Sequence, residues 1–315
     1  MSTSRVTDAE RPGPTFTAGP GRTLLVSSAL ALIAGAGPAL LLRLAQFGQQ
    51  PPDRLQVPVV LLFGALFVGL LVELTTALEP RRRDAVLVAA TAVGASLPAA
   101  LALFGSWDPR YLLSPLVAGG AALLLSRLDA KRAQMFGAML VFTACTLLAN
   151  YTLDSFLPLG DFFLLNVGTL FFGITFTQRD RVHRFGRRAV YAMIFSAAVV
   201  NVLLAASVGT PLRYIAVSFL VLIIAETADT EIYQRLLGKS WLTRVASSNA
   251  VSAPLDTILF TTLAFWGEDF ATRGWMTQVI VTDVLVKYAS GILAALGMMA
   301  VLRAAVRPLV AGREA

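Results

Sequence analysis

The stretches VLIIAETADTEIYQR (221–235), RVASSNAVSAPLDTILFTTLAFW (244–266) and VIVTDVLVKYASGILAALGMM (279–299) decide the fold. Each belongs to an apolar run long enough to cross a bilayer, yet together they carry Glu226, Asp229, Asn249, Asp256, Asp283 and Lys287 at or near membrane depth. A charged side chain at a bilayer centre costs at least ~2.5–3.5 kcal/mol, so such residues face a partner or a cavity rather than lipid. The three stretches therefore read as membrane helices that enclose a polar site.

The rest of the chain fits the same class. Hydrophobic residues make up 56% of the 315 positions and charged residues only 14%, with a mean hydropathy of +0.70. That is an all-α, polytopic transmembrane bundle rather than a soluble domain, because an apolar run of about 20 residues spans the hydrocarbon core as a helix. Ten-residue alternating patterns, the mark of an outer-membrane barrel, are absent. About ten spans are expected: 23–43, 57–78, 84–104, 111–128, 134–152, 160–178, 187–209, 212–232, 247–266 and 276–302. Residues 1–22 read as a disordered cytoplasmic tail and the first span as retained, since it is too long for a signal-peptide core. Residues 23–130 form an N-terminal four-helix region, 134–303 a six-helix region and 304–315 a second cytoplasmic tail. Pro38 and Pro98 interrupt two of the early spans, which neighbouring helices can tolerate.

The net charge of +7 comes from arginines in the short loops, which makes it a topology signal rather than a nucleic-acid footprint. With both termini in the cytoplasm, twenty of the 26 Lys and Arg residues fall on the inner side, including Arg81, Arg82 and Arg83 and the run from Arg179 to Arg188. The chain is expected in a bacterial cytoplasmic membrane, its partners being the bilayer and a small molecule, with self-association left open. Cys145 is the single cysteine, so neither a disulfide framework nor a thiolate metal site can be built. His183, the single histidine, has no second His or Cys near it in the sequence, and no metal or cofactor is expected. Nucleotide-binding, nucleophile-elbow and paired-His motifs are missing, so the chain does not read as an enzyme.

Within the polar stretches, spacing sets faces. Glu226 and Asp229 are three residues apart, on one face near the cytoplasmic end of the eighth span. They either line a cavity or form a solvated helix end beside Arg235. Asn249, Ser252, Asp256 and Phe260 follow i, i+3, i+7 and i+11, a single stripe. Pro254 predicts a kink or break beside Asp256. Asp283 and Lys287 stand i, i+4 with the acid first, the favourable order for an intrahelical pair, which is either functional or a buried structural bridge. Glu73 is the one acid deep in the first half, either functional or bonded locally to Thr75 or Thr76.

Five segments, LLANYTL around Asn150, TFTQRDRVHRFGRRAVY (175–191), ETADTEIYQRL (226–236), SSNAVSAPLDTILFTTLAFW (247–266) and TDVLVK (282–287), occur in one order and spacing. In these the chain from about Gln134 onward resembles the queuosine precursor transporter family, also called the vitamin uptake transporter-like family, a six-helix membrane protein. Many members carry an acid followed by Tyr-Gly after the motif aspartate, where this chain has Arg184, Phe185 and Gly186, and residues 1–133 have no counterpart in the six-helix members. The resemblance implies import of a 7-deazaguanine such as 7-cyano-7-deazaguanine, with Arg179 and Asp180 in the cytoplasmic gate motif. A carboxylate suits the paired N–H donors of a guanine-like edge, so Asp256 and Asp283 are candidates to hold it. Asn249, Ser252, Asn150, Glu226, Asp229 and Lys287 would surround it, and Phe260 or Tyr288 would stack on the base. Two other functions fit the same residues: a vitamin-binding subunit of an ATP-driven importer, and a membrane scaffold whose polar groups only join helices.

Overall fold

A computed structural model describes residues 53–76, 108–152, 155–207 and 211–311. The expected spans 23–43 and 84–104, with Pro38 and Pro98, and the tail 1–22 lie outside these residues. The described chain forms eight α-helices and one β-hairpin. In order they are α1 (Asp53–Thr75), α2 (Leu113–Ser126), α3 (Ala130–Tyr151), β1 (Phe156–Leu159), β2 (Phe163–Asn166), α4 (Gly168–Val182), α5 (Arg187–Ser207), α6 (Leu212–Arg235), α7 (Trp241–Phe265) and α8 (Arg273–Ala311).

Local chemistry sets several of the boundaries. Asp129 caps α3 by accepting from the Arg132 N–H, and Ser240 caps α7 by accepting from the Thr243 N–H, each satisfying a donor the helix leaves open. A short 3-10 turn (His183–Phe185) joins α4 to α5, and Gly186 follows it at φ 100°, a conformation that side chains with a Cβ resist. Helix α8 runs on to Ala311, past the expected boundary at 302 and through most of the expected tail 304–315.

Among the described residues three helices, α1, α3 and α5, are long and apolar enough to cross a membrane by length and composition. Arg213, Glu226 and Asp229 interrupt the apolar run of α6, and Ser, Thr and Asn residues dilute that of α7. The outer faces are nonetheless oily: Leu116, Leu124, Phe195, Leu203 and Leu212 are exposed, as lipid contact requires and water would not favour.

Several packed groups make up the interior among the described residues, two of them larger than the rest. Helices α1, α3 and α4 share a core of Val59, Phe63, Leu66, Val141, Cys145, Leu148 and Phe171. Its closeness depends on glycine, since a Cβ on Gly69 of α1 would sit 2.5 Å from Val141 Cγ2. Helices α3, α5 and α6 share a second core built on Phe142, Met193, Ala197 and Leu222.

The hairpin corrects the expected span 160–178. Its strands pair antiparallel from Phe156↔Asn166 to Leu159↔Phe163, with Gly160 at φ 76° in the turn, and helix begins only at Gly168. Two four-residue apolar runs around Gly160-Asp161 are a hairpin signal, although runs so short are also compatible with helix. The free edge of β2 is satisfied by α8: the Leu164 N–H donates to Thr282 Oγ1 at 3.0 Å and the Asn166 N–H to Asp283 Oδ1 at 3.0 Å. Non-helical backbone at membrane depth is tolerated when protein encloses it in this way.

Candidate functional site

Polar residues occupy two tiers stacked along α7. The first tier gathers round Arg179 near the end of α4, whose side chain is 0% exposed. Its Nη1 donates to Glu226 Oε2 at 2.8 Å, and its Nη2 lies 2.8 Å from Asp229 Oδ2 and donates to Asn249 Oδ1 at 3.2 Å. Asp180 Oδ1 is 3.6 Å from the same Nη2. Ser252 Oγ donates to Asp229 Oδ1 at 2.7 Å, and the guanidinium stacks over Phe176 at 5.1 Å from the ring centroid. A fork of five donors suits several acceptors at once, which a lysine could not match.

This tier corrects two expectations. Glu226 and Asp229 are buried and reach Arg179 rather than forming a solvated helix end beside Arg235. Arg179, counted above among the loop arginines, lies inside the fold. Nearby, Glu73 is neither free nor bonded only to its own turn: it forms an ion pair with Arg181, which ties α1 to the end of α4. Glu231, one turn beyond, pairs with Arg187 and accepts from the Tyr191 hydroxyl at 2.5 Å.

The second tier lies about 10 Å further along α7, the rise of seven helical residues from Asn249 to Asp256. Lys287 Nζ donates to Asp256 Oδ2 at 2.5 Å and to Thr257 Oγ1 at 3.0 Å, and sits 4.5 Å from the Phe172 ring centroid. The i, i+4 pair expected within α8 is thus replaced by a bridge from α8 to α7, while Asp283 turns to the Asn166 backbone. Because the β2 edge needs an acceptor, Asp283 serves the hairpin and Lys287 is left for Asp256. The helix also continues unbroken through Pro254, so the expected break does not occur.

Asp256, Phe260, Asp283 and Lys287 line one cavity with Asn150, Asn166, Thr169 and Phe172. Its free volume is ≈ 50 Å³, less than the roughly 150 Å³ with which an engineered apolar cavity takes up benzene. A guest of even one aromatic ring needs the walls to part. Both ends of the Asn150 amide are already engaged, by Asn201 Oδ1 at 2.5 Å and Ser218 Oγ at 2.9 Å, so this residue orients the wall. Tyr288 is half-buried and is not among the lining residues, while Asn249 and Ser252 belong to the first tier. The stripe read along α7 is real as a face, but its two halves serve different tiers.

At the end of the cavity away from Arg179, Phe265 is ringed by Phe156, Tyr214, Phe260, Phe270 and Trp275, with centroids 5.4–6.3 Å away. Offset and edge-on aromatic contacts of this kind close a passage without using any polar group.

His183, in the turn after α4, stacks on Tyr233 at 4.1 Å with the planes 11° apart, and its Nδ1 meets Gln234 Nε2 at 2.9 Å. Burial, followed by the positive charges of Arg179 and Arg244, pushes its pKa down to about 3, so the ring is neutral at physiological pH. The distance in sequence that set His183 apart from other ligating groups does not hold in space: Asp180 and Asp229 each bring an oxygen within 4.8 Å of one another and of a His183 ring nitrogen. Sequence reading did not assign Asn166, Thr169, Phe172 or Thr257 to the site. Only the Thr-rich, Phe-rich character of 169–177 hinted at a polar face on α4.

No curated protein and no solved structure matches the chain. Residues 166–301, which hold the whole Arg179 cluster and all of the cavity wall except Thr146, Ala149 and Asn150, match the family model described as "Putative vitamin uptake transporter", so over this segment the chain is similar to that transporter family.

Proposed function

We propose that this protein imports a queuosine precursor, a 7-deazaguanine such as 7-cyano-7-deazaguanine, across the cytoplasmic membrane. The observation that carries the reading is the shared cavity: two carboxylates, one ammonium and three phenyl rings (Phe172, Phe260 and Phe265) meet there among Asn, Ser and Thr side chains. A guanine-like edge presents adjacent N–H donors that a carboxylate accepts as a pair, and a charge-assisted pair is about twice as strong as a neutral one. Asp256 is the better placed of the two acids, because its present partner is a flexible lysine side chain rather than the backbone of the hairpin. A base that takes Asp256 displaces Lys287 toward Phe172, whose ring face already attracts it.

The test is thermal stabilisation of the purified chain across 7-deazaguanines, purines and vitamins. A ligand that binds only the folded form stabilises it by about 2.7 kcal/mol at one hundred times its Kd. Stabilisation by 7-deazaguanines, with uptake of the same compound into vesicles holding this chain alone, is the expected result. Stabilisation by a vitamin only would overturn the substrate, and binding without uptake would instead favour a subunit of an ATP-driven importer.

A further inference from the structure

We propose that Asp180, His183 and Asp229 form a binding site for a transition-metal dication such as Zn²⁺ or Co²⁺, which clamps the end of α4 to α6. The proposal does not depend on what the cavity transports.

Three observations carry it. First, the candidate ligand atoms are within 4.8 Å of one another and all three residues are buried. A tetrahedral ion with bonds of about 2.0–2.2 Å places its ligands roughly 3.4 Å apart, so modest closure completes the set. Second, polar atoms of the cluster lack hydrogen-bond partners: both carboxylate oxygens of Asp180 and Nε2 of His183. Asp180 is 1% exposed, Asp229 0% and His183 8%. Arg179 reaches part of this group, its Nη2 standing 2.8 Å from Asp229 Oδ2 and 3.6 Å from Asp180 Oδ1, but Asp180 Oδ2 and His183 Nε2 have no partner. Buried polar atoms are rarely left this way, and two in one cluster call for a missing partner. Third, the histidine is held as metal-ligating histidines are, with the opposite ring nitrogen engaged. The Gln234 amide serves Nδ1 in either orientation. As placed, its Nε2 donates to Nδ1; turned over, its Oε1 accepts from Nδ1–H and leaves the Nε2 lone pair free for a metal.

Charge points the same way. Three carboxylates, those of Asp180, Glu226 and Asp229, face the guanidinium of Arg179, with Arg244 reaching His183, and a dication offsets the acids that remain. The mixed imidazole and carboxylate set favours Zn²⁺ or Co²⁺ over Mg²⁺, which prefers six oxygens and keeps its water.

The experiment uses the full chain in detergent, with any affinity tag removed and metals stripped by chelator. Zn²⁺, Co²⁺ or Mg²⁺ is returned, and metal content, the Co²⁺ visible absorption spectrum and melting temperature are recorded. One Zn²⁺ retained per chain, a Co²⁺ band of a low-coordinate N/O site, and a rise in melting temperature with Zn²⁺ but not Mg²⁺ are expected. His183→Gln and Asp180→Asn should each weaken retention by at least roughly tenfold. No retained metal in the wild-type chain, equal retention in His183→Gln, or equal stabilisation by Mg²⁺ would overturn the site.

Discussion

Replacing Arg179 by glutamine removes the cation that three buried acids share. The side chain is fully enclosed, with Glu226 and Asp229 each 2.8 Å away and themselves 4% and 0% exposed, so water cannot take over its role without opening the fold. Removing one partner of a buried ion pair costs about 3–5 kcal/mol, because the remaining charge is left uncompensated; with two close acids and Asn249 also released, the upper part of that range applies. For a chain of this size each kcal/mol lowers the melting temperature by about 2–4 °C, which gives a drop of roughly 8–20 °C. Cys145, the only cysteine and buried, provides the assay: a dye that reacts with thiols reports its exposure on heating. Arg179→Lys should fall between the two, because an ammonium cannot satisfy Glu226, Asp229 and Asn249 together. Adding Glu226→Gln and Asp229→Asn to Arg179→Gln should recover most of the loss. A single variant that melts within about 2 °C of the wild type, on the same conversion, would refute the view that Arg179 holds the tier together.

Asp256→Asn and Lys287→Met should each destabilise the chain by about 3–5 kcal/mol by stranding the other member of the bridge, while the double variant regains stability in the same melting assay but still fails to bind a 7-deazaguanine. Gly173→Val should cost about 1–3 kcal/mol by overpacking, since a Cβ there would lie 2.6 Å from Ser290 Oγ; Ser290→Gly in the same chain should restore the melting temperature. Thr282→Val removes the acceptor of the Leu164 N–H at a cost of about 1 kcal/mol, so that amide should exchange faster in deuterium while exchange in α3 is unchanged. In a chain with Cys145→Ser and Thr261→Cys, Trp275→Ala should raise maleimide labelling at 261 at least roughly tenfold, the effect of losing a few aromatic contacts worth about 0.5–1.5 kcal/mol each.

What the sequence made legible was the set of elements and faces. Apolar length marked the helices, with α1, α5 and α6 found close to the spans drawn for them, and i, i+3, i+7 spacing put Asn249, Ser252 and Asp256 on one side of α7. The choice of partner was not legible. Lys287 had a favourable acid four residues before it, but the better acceptor is on another helix, because the hairpin edge competes for Asp283 and nothing local to α8 announces that competition. Arg179 was misplaced for a related reason: an arginine two residues from a basic loop looks solvated until α6 and α7 are known to pack against it. The hairpin escaped notice because its residues are as apolar as a helix and only Gly160-Asp161 mark the turn. In each case the missing information was a contact between elements distant in sequence, which periodicity does not encode.

The two ends of the cavity are closed by different forces, and this determines where it opens. On the Arg179 side the helices α4, α6 and α7 are joined by charge-assisted bonds among groups that have no exposure to water, so separating them leaves several charges unmatched at once. On the other side the closure is a ring of aromatic contacts around Phe265, each worth about 0.5–1.5 kcal/mol and each replaceable by a small rotation. The hairpin that contributes Phe156 to that ring is held to α8 by the Thr282 and Asp283 bonds and by the edge-on contact of Phe156 with Trp275. For the purine proposed above, the aromatic end is the one that parts at the lower cost, away from the arginine-rich loops. A ligand that draws Asp256 away from Lys287 would then act on α7, the helix that both closures share.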